Sequence, residues 1–359
     1  MPLNSQPLPP LIVIVGPTAV GKTATSIRLA LRFNGEVISA DSRQFYRGMD
    51  IGTAKPSTQE QATVPHYMLD ICEPSESLSL AQFQEWAYRH AADMTRRGKV
   101  PFLVGGTGLY VRAVVEGYGI PRVPPDEVLR AKLVAFAEKF GHEALHERLV
   151  EVDPEAATAI DGRNVRRVVR ALEVYEKSGT PISVLQRKTP PPYQILQIGL
   201  IRAREGLYER VDRRIAAMLE AGLIDEVKRL LEAGVSTECP SMSALGYRET
   251  VAFLGGQLAT VEELAHEIGR NTRRFIRTQS NWFRRTDRRI QWFDLEEQPY
   301  EEIEHFVGEW LAQICCANSQ AQQGSDVMPI PVEASISNTN KAPTPNTPHA
   351  SVRWGEEQK

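Results

Sequence analysis

Three short stretches carry the residue types that chemistry needs. The first is "VGPTAVGKT", Val15 to Thr23, where Gly16, Pro17, Thr18, Ala19, Val20, Gly21, Lys22 and Thr23 fit the phosphate-loop pattern GxxxxGK[ST]. Backbone N–H groups in such a turn form an anion nest at a helix N-terminus, Lys22 adds a cation, and the Thr23 hydroxyl is a candidate ligand for Mg²⁺. The second is Asp41, at the end of "VISAD". It reads as a Mg²⁺ ligand, a helix cap, or a base facing an acceptor. The third is Gly105-Gly106-Thr107, after "VPFLV"; a hydroxyl there is as readily a helix cap. A nucleoside triphosphatase would add a strand ending in Asp to hold Mg²⁺. "VPFLV" ends in glycines and "VISAD" ends in Asp, so a small-molecule kinase stays open on these residues alone.

The elements around these stretches place them consistently. "LIVIV" (Leu11 to Val15), bounded by Pro10 and Gly16, predicts a buried strand. A helix follows from Lys22, a second strand spans Val37 to Ala40, a helix spans Leu80 to Arg97, and a third strand spans Val100 to Val104. Alternating strands and helices predict an α/β fold, a P-loop-type parallel sheet flanked by helices. All three stretches then fall at strand carboxyl ends, where such sheets bind ligands. From Gly117 the pattern changes to proline-marked, helix-only sequence, and "ILQIGLI" (Ile195 to Ile201) returns to strand character. The expected organisation is a core of 9–117 and 194–312 with an all-helical insertion at 118–193. Further helices are predicted at Leu207 to Gly234, Leu245 to Leu254 and Val261 to Arg285. Residues 1–8 and the Ser/Asn/Gln/Thr/Pro-rich 313–359 are expected to be disordered.

Bulk properties exclude some classes. The 359 residues are 42% hydrophobic and 24% charged with net charge -3, an ordinary globular balance and no uniformly basic coat. The opening "MPLNSQPLPP" has no leader pattern and no apolar run reaches membrane length. With four cysteines lacking metal-site spacing, a cytoplasmic monomer with reduced thiols is expected. Positive charge is concentrated locally. Arg163, Arg166, Arg167 and Arg170 recur at helical spacing and predict one basic face on the insertion. Arg270, Arg273, Arg274, Arg277, Arg284, Arg285, Arg288 and Arg289 form a second stripe interleaved with Phe275, Trp282 and Phe283, with only Asp287 opposing. Basic residues with aromatics suit phosphate contacts and stacking on unstacked bases, although a run of charge is more often a solvated face. Trp282 and Phe283 are adjacent, so only one of them can face an RNA.

"GPTAVGKT", "ADSRQFYRGMDIGTAKP" (Ala40 to Pro56), "LVGGTGLYVRAV", "VRRVVRALEVYEKSG", "SALGYRE" and "NTRRFIRTQSNWFRR" occur in this order. Together they make the chain resemble the bacterial tRNA dimethylallyltransferases from about Leu11 to Leu295. The resemblance implies transfer of a dimethylallyl group from dimethylallyl diphosphate to the exocyclic amine of the adenosine 3′ to the anticodon, in tRNAs reading codons that begin with U. It makes the phosphate loop the grip on a diphosphate leaving group, with Mg²⁺ as cofactor and Arg214 reaching the diphosphate. Arg210, one helical turn before Arg214, is a candidate supporting partner. It makes Asp41 the general base and Thr107 the hydroxyl near the accepting amine. It implies tRNA contacts at Asp41, Ser42, Arg43, Gln44, Thr107, Arg130, Arg166, Arg167, Arg170, Ser243, Gly246, Tyr247, Arg248, Arg277, Gln279, Trp282 and Arg284. Two stretches depart from the family pattern: Thr278 stands where a basic residue is common, and "IDGRN" (Ile160 to Asn164) replaces a His-Pro-Asn-Asp run. An adenylate isopentenyltransferase acting on free nucleotide shares the loop but needs neither the insertion nor the arginine stripes. A plain RNA-binding module would bind tRNA without making a product.

Overall fold

The apolar run after Pro10 becomes the middle of a parallel sheet. The computed structural model describes residues 8–323, with side chains through 316. In chain order the core begins with β1 (Pro10–Val15), α1 (Lys22–Arg32), β2 (Gly35–Ser39), α2 (Thr58–Thr63), β3 (His66–Tyr67), α3 (Leu80–Arg96), β4 (Val100–Val104) and α4 (Gly108–Val115). The insertion holds α5 (Glu127–Phe140), α6 (His142–Val152), α7 (Pro154–Ala159), α8 (Val165–Ser178) and α9 (Ile182–Leu185). The chain returns with β5 (Gln194–Ile201), α10 (Arg204–Glu220), α11 (Leu223–Glu232), a short 3₁₀ turn at Pro240–Ser243, α12 (Tyr247–Leu254), α13 (Val261–Gln279), β6 (Ile290–Asp294) and α14 (Tyr300–Gln323). The sheet order is β3-β2-β4-β1-β5-β6 and every pairing is parallel.

Alternation along β1 divides the core. Ile12 and Ile14 join the cluster of α1, α10, α11 and α13, whereas Leu11, Val13 and Val15 join the cluster of α3 and α4 on the other face. Both faces are covered, so the strand reads as one continuous apolar run. The insertion has its own apolar cluster, built on Leu145, Leu149, Val168 and Leu172.

The structure corrects several sequence expectations. Leu207 to Gly234 is two helices, because Gly222 adopts a left-handed φ of 94° between α10 and α11. α13 ends at Gln279 rather than continuing to Arg285. α14 runs past 313, where the tail was expected to start, and Ile314 is buried at 4% exposure. The expected disordered ends at 1–7 and 324–359 lie outside the described residues. No helix among the described residues is long and apolar enough to cross a membrane.

Candidate functional site

The phosphate loop joins β1 to α1 and packs tightly underneath. A Cβ on Gly16, at φ +149°, would stand 2.6 Å from the carbonyl oxygen of Leu200, so only glycine lets the loop lie against β5. Ala19 is held at a φ of 66°, a left-handed conformation that costs a non-glycine residue energy and clusters at binding sites. Two arginines fix this geometry: Arg202 Nε donates to Val20 O (2.9 Å) and Arg210 Nε to Ala19 O (2.8 Å). Gly21 precedes α1 without a side-chain cap, which leaves the first N–H groups of α1 aimed at the loop. Lys22 Nζ donates to Gly16 O (3.0 Å) and Pro17 O (2.9 Å). Burial pulls the Lys22 ammonium down to about 8, opposed by the Asp41 carboxylate and reinforced by the Arg214 guanidinium. Burial likewise pulls Arg214 down from its ordinary value, again opposed by Asp41. Both cations thus lie within reach of the Asp41 charge.

Asp41 follows β2 and Thr107 follows β4, neighbouring strands in the sheet. Asp41 Oδ1 accepts from the Arg43 amide (3.0 Å), which turns the chain and orients the carboxylate. The Thr107 hydroxyl makes no cap bond to α4; it accepts from the Ser42 amide (3.1 Å) and so ties the two strand ends together. Arg43 donates to Pro240 O (2.6 Å) and Ser243 Oγ (3.1 Å). Gln44 is turned inward, taking a hydrogen bond from Ser39 Oγ (2.9 Å) and donating to Ala54 O (3.2 Å).

These residues open on a cavity of about 770 Å³ lined by Asp41, Thr107, Arg214 and Thr18. One of its walls is apolar, formed by Val211, Ile215 and Met218 of α10 with Ile268 of α13. A small cavity of about 40 Å³ on the phosphate-loop side is lined by Lys22, Thr23 and again Asp41. Asp41 therefore borders both spaces.

The residues expected to meet RNA divide. Ser243, Arg248, Arg277 and Arg284 are exposed, as are Arg166 and Arg167. Tyr247 is not available: it is fully buried and its hydroxyl donates to Glu226 Oε1 (2.6 Å). Gly246, also buried, lies against Gly52. Gln279 is buried at 5% exposure, bonds two loops and lines the large cavity. Arg130 and Arg170 are spent on the buried Glu173, at 2.8 and 2.5 Å. Arg163 is likewise held by Asp161 (2.7 Å). In the second stripe Asp287 is not alone in opposing: Arg270 pairs with Glu267, Arg273 with Asp212, and Arg289 with Asp287 and Glu116. Arg274, Arg277, Arg284, Arg285 and Arg288 are exposed and form no ion pair among the described residues. Of the adjacent aromatics, Phe283 is core, and Trp282 packs against the same core and on Gly108 while lining the cavity. Thr278 is exposed and its hydroxyl donates to Arg274 O (3.1 Å), so no cation replaces the missing one.

Two groups escaped sequence reasoning. Arg202 lies just beyond β5 and reads as an ordinary surface charge. Glu226 accepts from the amides of Asp50, Ile51 and Gly52 and from Tyr247, and so anchors the loop that places Gly52 and Thr53 on the cavity. A signal for it existed: Leu223, Glu226, Val227 and Leu230 share one helical face, and an acid on an apolar face asks for a buried partner.

Comparison with known proteins gives the same reading. A family model described as IPP transferase matches residues 44–286, and one described as isopentenyl transferase matches residues 9–73. A tRNA dimethylallyltransferase of Roseiflexus sp. (strain RS-1) is 53% identical over 276 residues, covering 77% of this chain and 90% of that protein. The full-length tRNA isopentenylpyrophosphate transferase of Bacillus halodurans superposes with a TM-score of 0.63 at 43% identity, covering 87% of this chain and 99% of that one. A eukaryotic dimethylallyltransferase acting on tRNA gives a TM-score of 0.71 at 26% identity, covering 85% and 80%. A match of this extent, on a parallel sheet of this order, settles the family: the chain belongs to the IPP transferase family of tRNA dimethylallyltransferases.

Proposed function

We propose that this chain transfers the dimethylallyl group of dimethylallyl diphosphate to N6 of adenosine 37, the residue 3′ to the anticodon, in tRNAs reading codons that begin with U. The products are N6-isopentenyladenosine and diphosphate. The observation that carries the reading is Asp41 bordering both the phosphate-loop cavity and the larger cavity. One carboxylate then faces the donor and the acceptor at once.

The roles follow from charge. The α1 amides, Lys22 and Arg214 hold the diphosphate and take up its developing charge as the C–O bond breaks with its electron pair. The apolar wall of α10 receives the five-carbon group. The adenine must leave its stack to reach this cavity. Its N6 lone pair forms the new C–N bond, and the N6 proton passes to the Asp41 carboxylate. Thr107, whose hydroxyl accepts from the Ser42 amide, would hydrogen-bond the amine. The Thr23 hydroxyl and Asp41, which share the small cavity, are oxygen donors of the kind Mg²⁺ takes beside a phosphate. Bound there, Mg²⁺ would neutralise charge on the leaving group. Arg166, Arg167, Arg277 and Arg284 are the exposed cations on which the anticodon stem–loop docks. We place the enzyme in the cytoplasm as a monomer.

Incubation with dimethylallyl diphosphate, Mg²⁺ and an anticodon stem–loop should yield isopentenylated RNA by mass spectrometry. Product on AMP but not on RNA would favour a free-nucleotide enzyme, and phosphoryl transfer from ATP without prenyl transfer would sink both readings. Asp41→Asn should lower turnover about 10²–10⁴-fold, the usual worth of a general base, while RNA binding survives. Unchanged turnover removes Asp41 as base.

A further inference from the structure

Gln279 ends α13 and sits where three functional pieces meet. Its Oε1 accepts from the Thr18 amide (2.9 Å) and the Thr18 hydroxyl (3.3 Å) in the phosphate loop. Its Nε2 donates to the carbonyl of Gly106 (3.2 Å), in the loop that carries Thr107. These two loops leave different strands, and the Gln279 amide bridges them. The fit is close: a Cβ on Gly106 would lie 2.5 Å from Nε2, so the glycine makes room for the amide. The next residues extend the grip. The carbonyl of Trp282 accepts from Arg112 Nη2 (2.8 Å), and its ring packs on Gly108 at the start of α4.

The same helix end faces outward with cations. Arg274 and Arg277 are exposed and form no ion pair among the described residues. Helix ends fray unless something ties them. An RNA phosphate bound to Arg274 or Arg277 would restrain the last turn of α13, and that turn carries the amide that bridges Thr18 and Gly106.

We propose that Gln279 is a positioning residue that couples RNA docking on α13 to diphosphate binding in the phosphate loop. RNA tightens the diphosphate through it, and by linkage the diphosphate tightens RNA by the same factor. The inference rests on the proposed docking of an anticodon stem–loop on this helix.

The test uses inorganic diphosphate with Mg²⁺ as a non-reacting probe, titrated calorimetrically with and without a saturating anticodon stem–loop. In the unmodified protein the RNA should tighten the probe about tenfold, within the usual range of coupling between sites. In Gln279→Met, which matches the side chain in length and removes all three hydrogen bonds, the factor should fall to about one. The stem–loop Kd without diphosphate should stay within about twofold. Gln279→Asn, which keeps the amide but shortens its reach, should behave the same and serves if the Met variant does not fold. No tightening in the unmodified protein overturns the proposal. So does a folded variant, Met or Asn, that keeps the coupling factor, or one that loosens RNA in the absence of diphosphate. Prenyl transfer to the stem–loop, assayed on the same samples, separates the two readings: no product removes the proposed function, whereas product without coupling removes only the role of Gln279.

Discussion

Arg170 in α8 and Arg277 in α13 stand in similar sequence, each in a helix with arginines three or four residues away. Their surroundings differ. Arg170 donates to Glu173 (2.5 Å) and to the carbonyl of Val123 (2.9 Å), and Glu173 is closed to solvent. Arg277 is exposed with no carboxylate beside it among the described residues. Around α8 the periodic arginines are therefore divided: Arg170 is tied to the buried Glu173, Arg163 just before the helix pairs at the surface with Asp161, and Arg166 and Arg167 are exposed. From the end of α13 onward most remain outside. Arginine periodicity marks a face, but a buried carboxylate decides whether that face belongs to the fold or to a partner.

The largest way to break this contrast is Glu173→Ala. Burial pushes the Glu173 carboxyl up, but hydrogen bonds from Arg130, the Asp126 amide and Arg170 outweigh it and hold the group below its usual range. A depressed carboxyl stabilises above its unfolded value and loses that contribution as pH falls through the folded one. Removing it leaves Arg170 with no carboxylate, Arg130 with only Glu127 (3.3 Å), and the Asp126 amide without its side-chain acceptor. We expect a loss of about 3 kcal/mol, read by thermal unfolding, from the low end of values for broken buried pairs. Arg277→Ala should leave stability within about 0.5 kcal/mol, as surface changes do. Equal losses in the two variants would erase the distinction.

This contrast also shows what the sequence could and could not say. β1 and β4 were legible because apolar runs end in glycine, and the phosphate loop, Asp41 and Thr107 were legible because strand carboxyl ends gather ligands. β3 (His66–Tyr67) is too short to make a pattern, and β6 alternates only partly, with Ile290 and Phe293 buried around Gln291. The arginine roles were not legible because deciding partners are remote in sequence: Asp212 for Arg273, Glu173 for Arg130. Gln279 was placed with the RNA contacts by resemblance, and its bonds to Thr18 and Gly106 are tertiary facts with no local trace. Glu226 is the instructive exception, since its place on the apolar face of α11 could have been noticed.

A second test sharpens the contrast through charge that titrates. Lys22 falls to about 8 in the folded protein, whereas arginines keep their charge throughout this range. A diphosphate binds the charged ammonium. Its affinity should therefore be full below pH 8 and fall above it, at most about tenfold per pH unit until the bound-state value is reached. The sign is that of a base whose charged form the fold disfavours and the ligand restores. RNA affinity should stay flat from pH 7 to 9. Calorimetric titration of diphosphate and of the stem–loop across this range checks both, and parallel declines would mean that RNA binding also depends on the Lys22 charge.

The smallest expected effect is the most discriminating. Each phosphate neutralised by an arginine releases counterions, so the slope of log K against log salt counts such contacts. Arg277→Ala should weaken stem–loop binding several-fold and reduce that slope by about one unit or slightly less. Arg170→Ala should leave the slope unchanged, because its charge is already met by Glu173. Any loss of binding in Arg170→Ala should follow its loss of folded protein, measured on the same samples by thermal unfolding. A slope that falls for Arg170→Ala and not for Arg277→Ala would reverse the assignment. RNA would then displace Glu173 from Arg170, and the insertion would be the principal docking face.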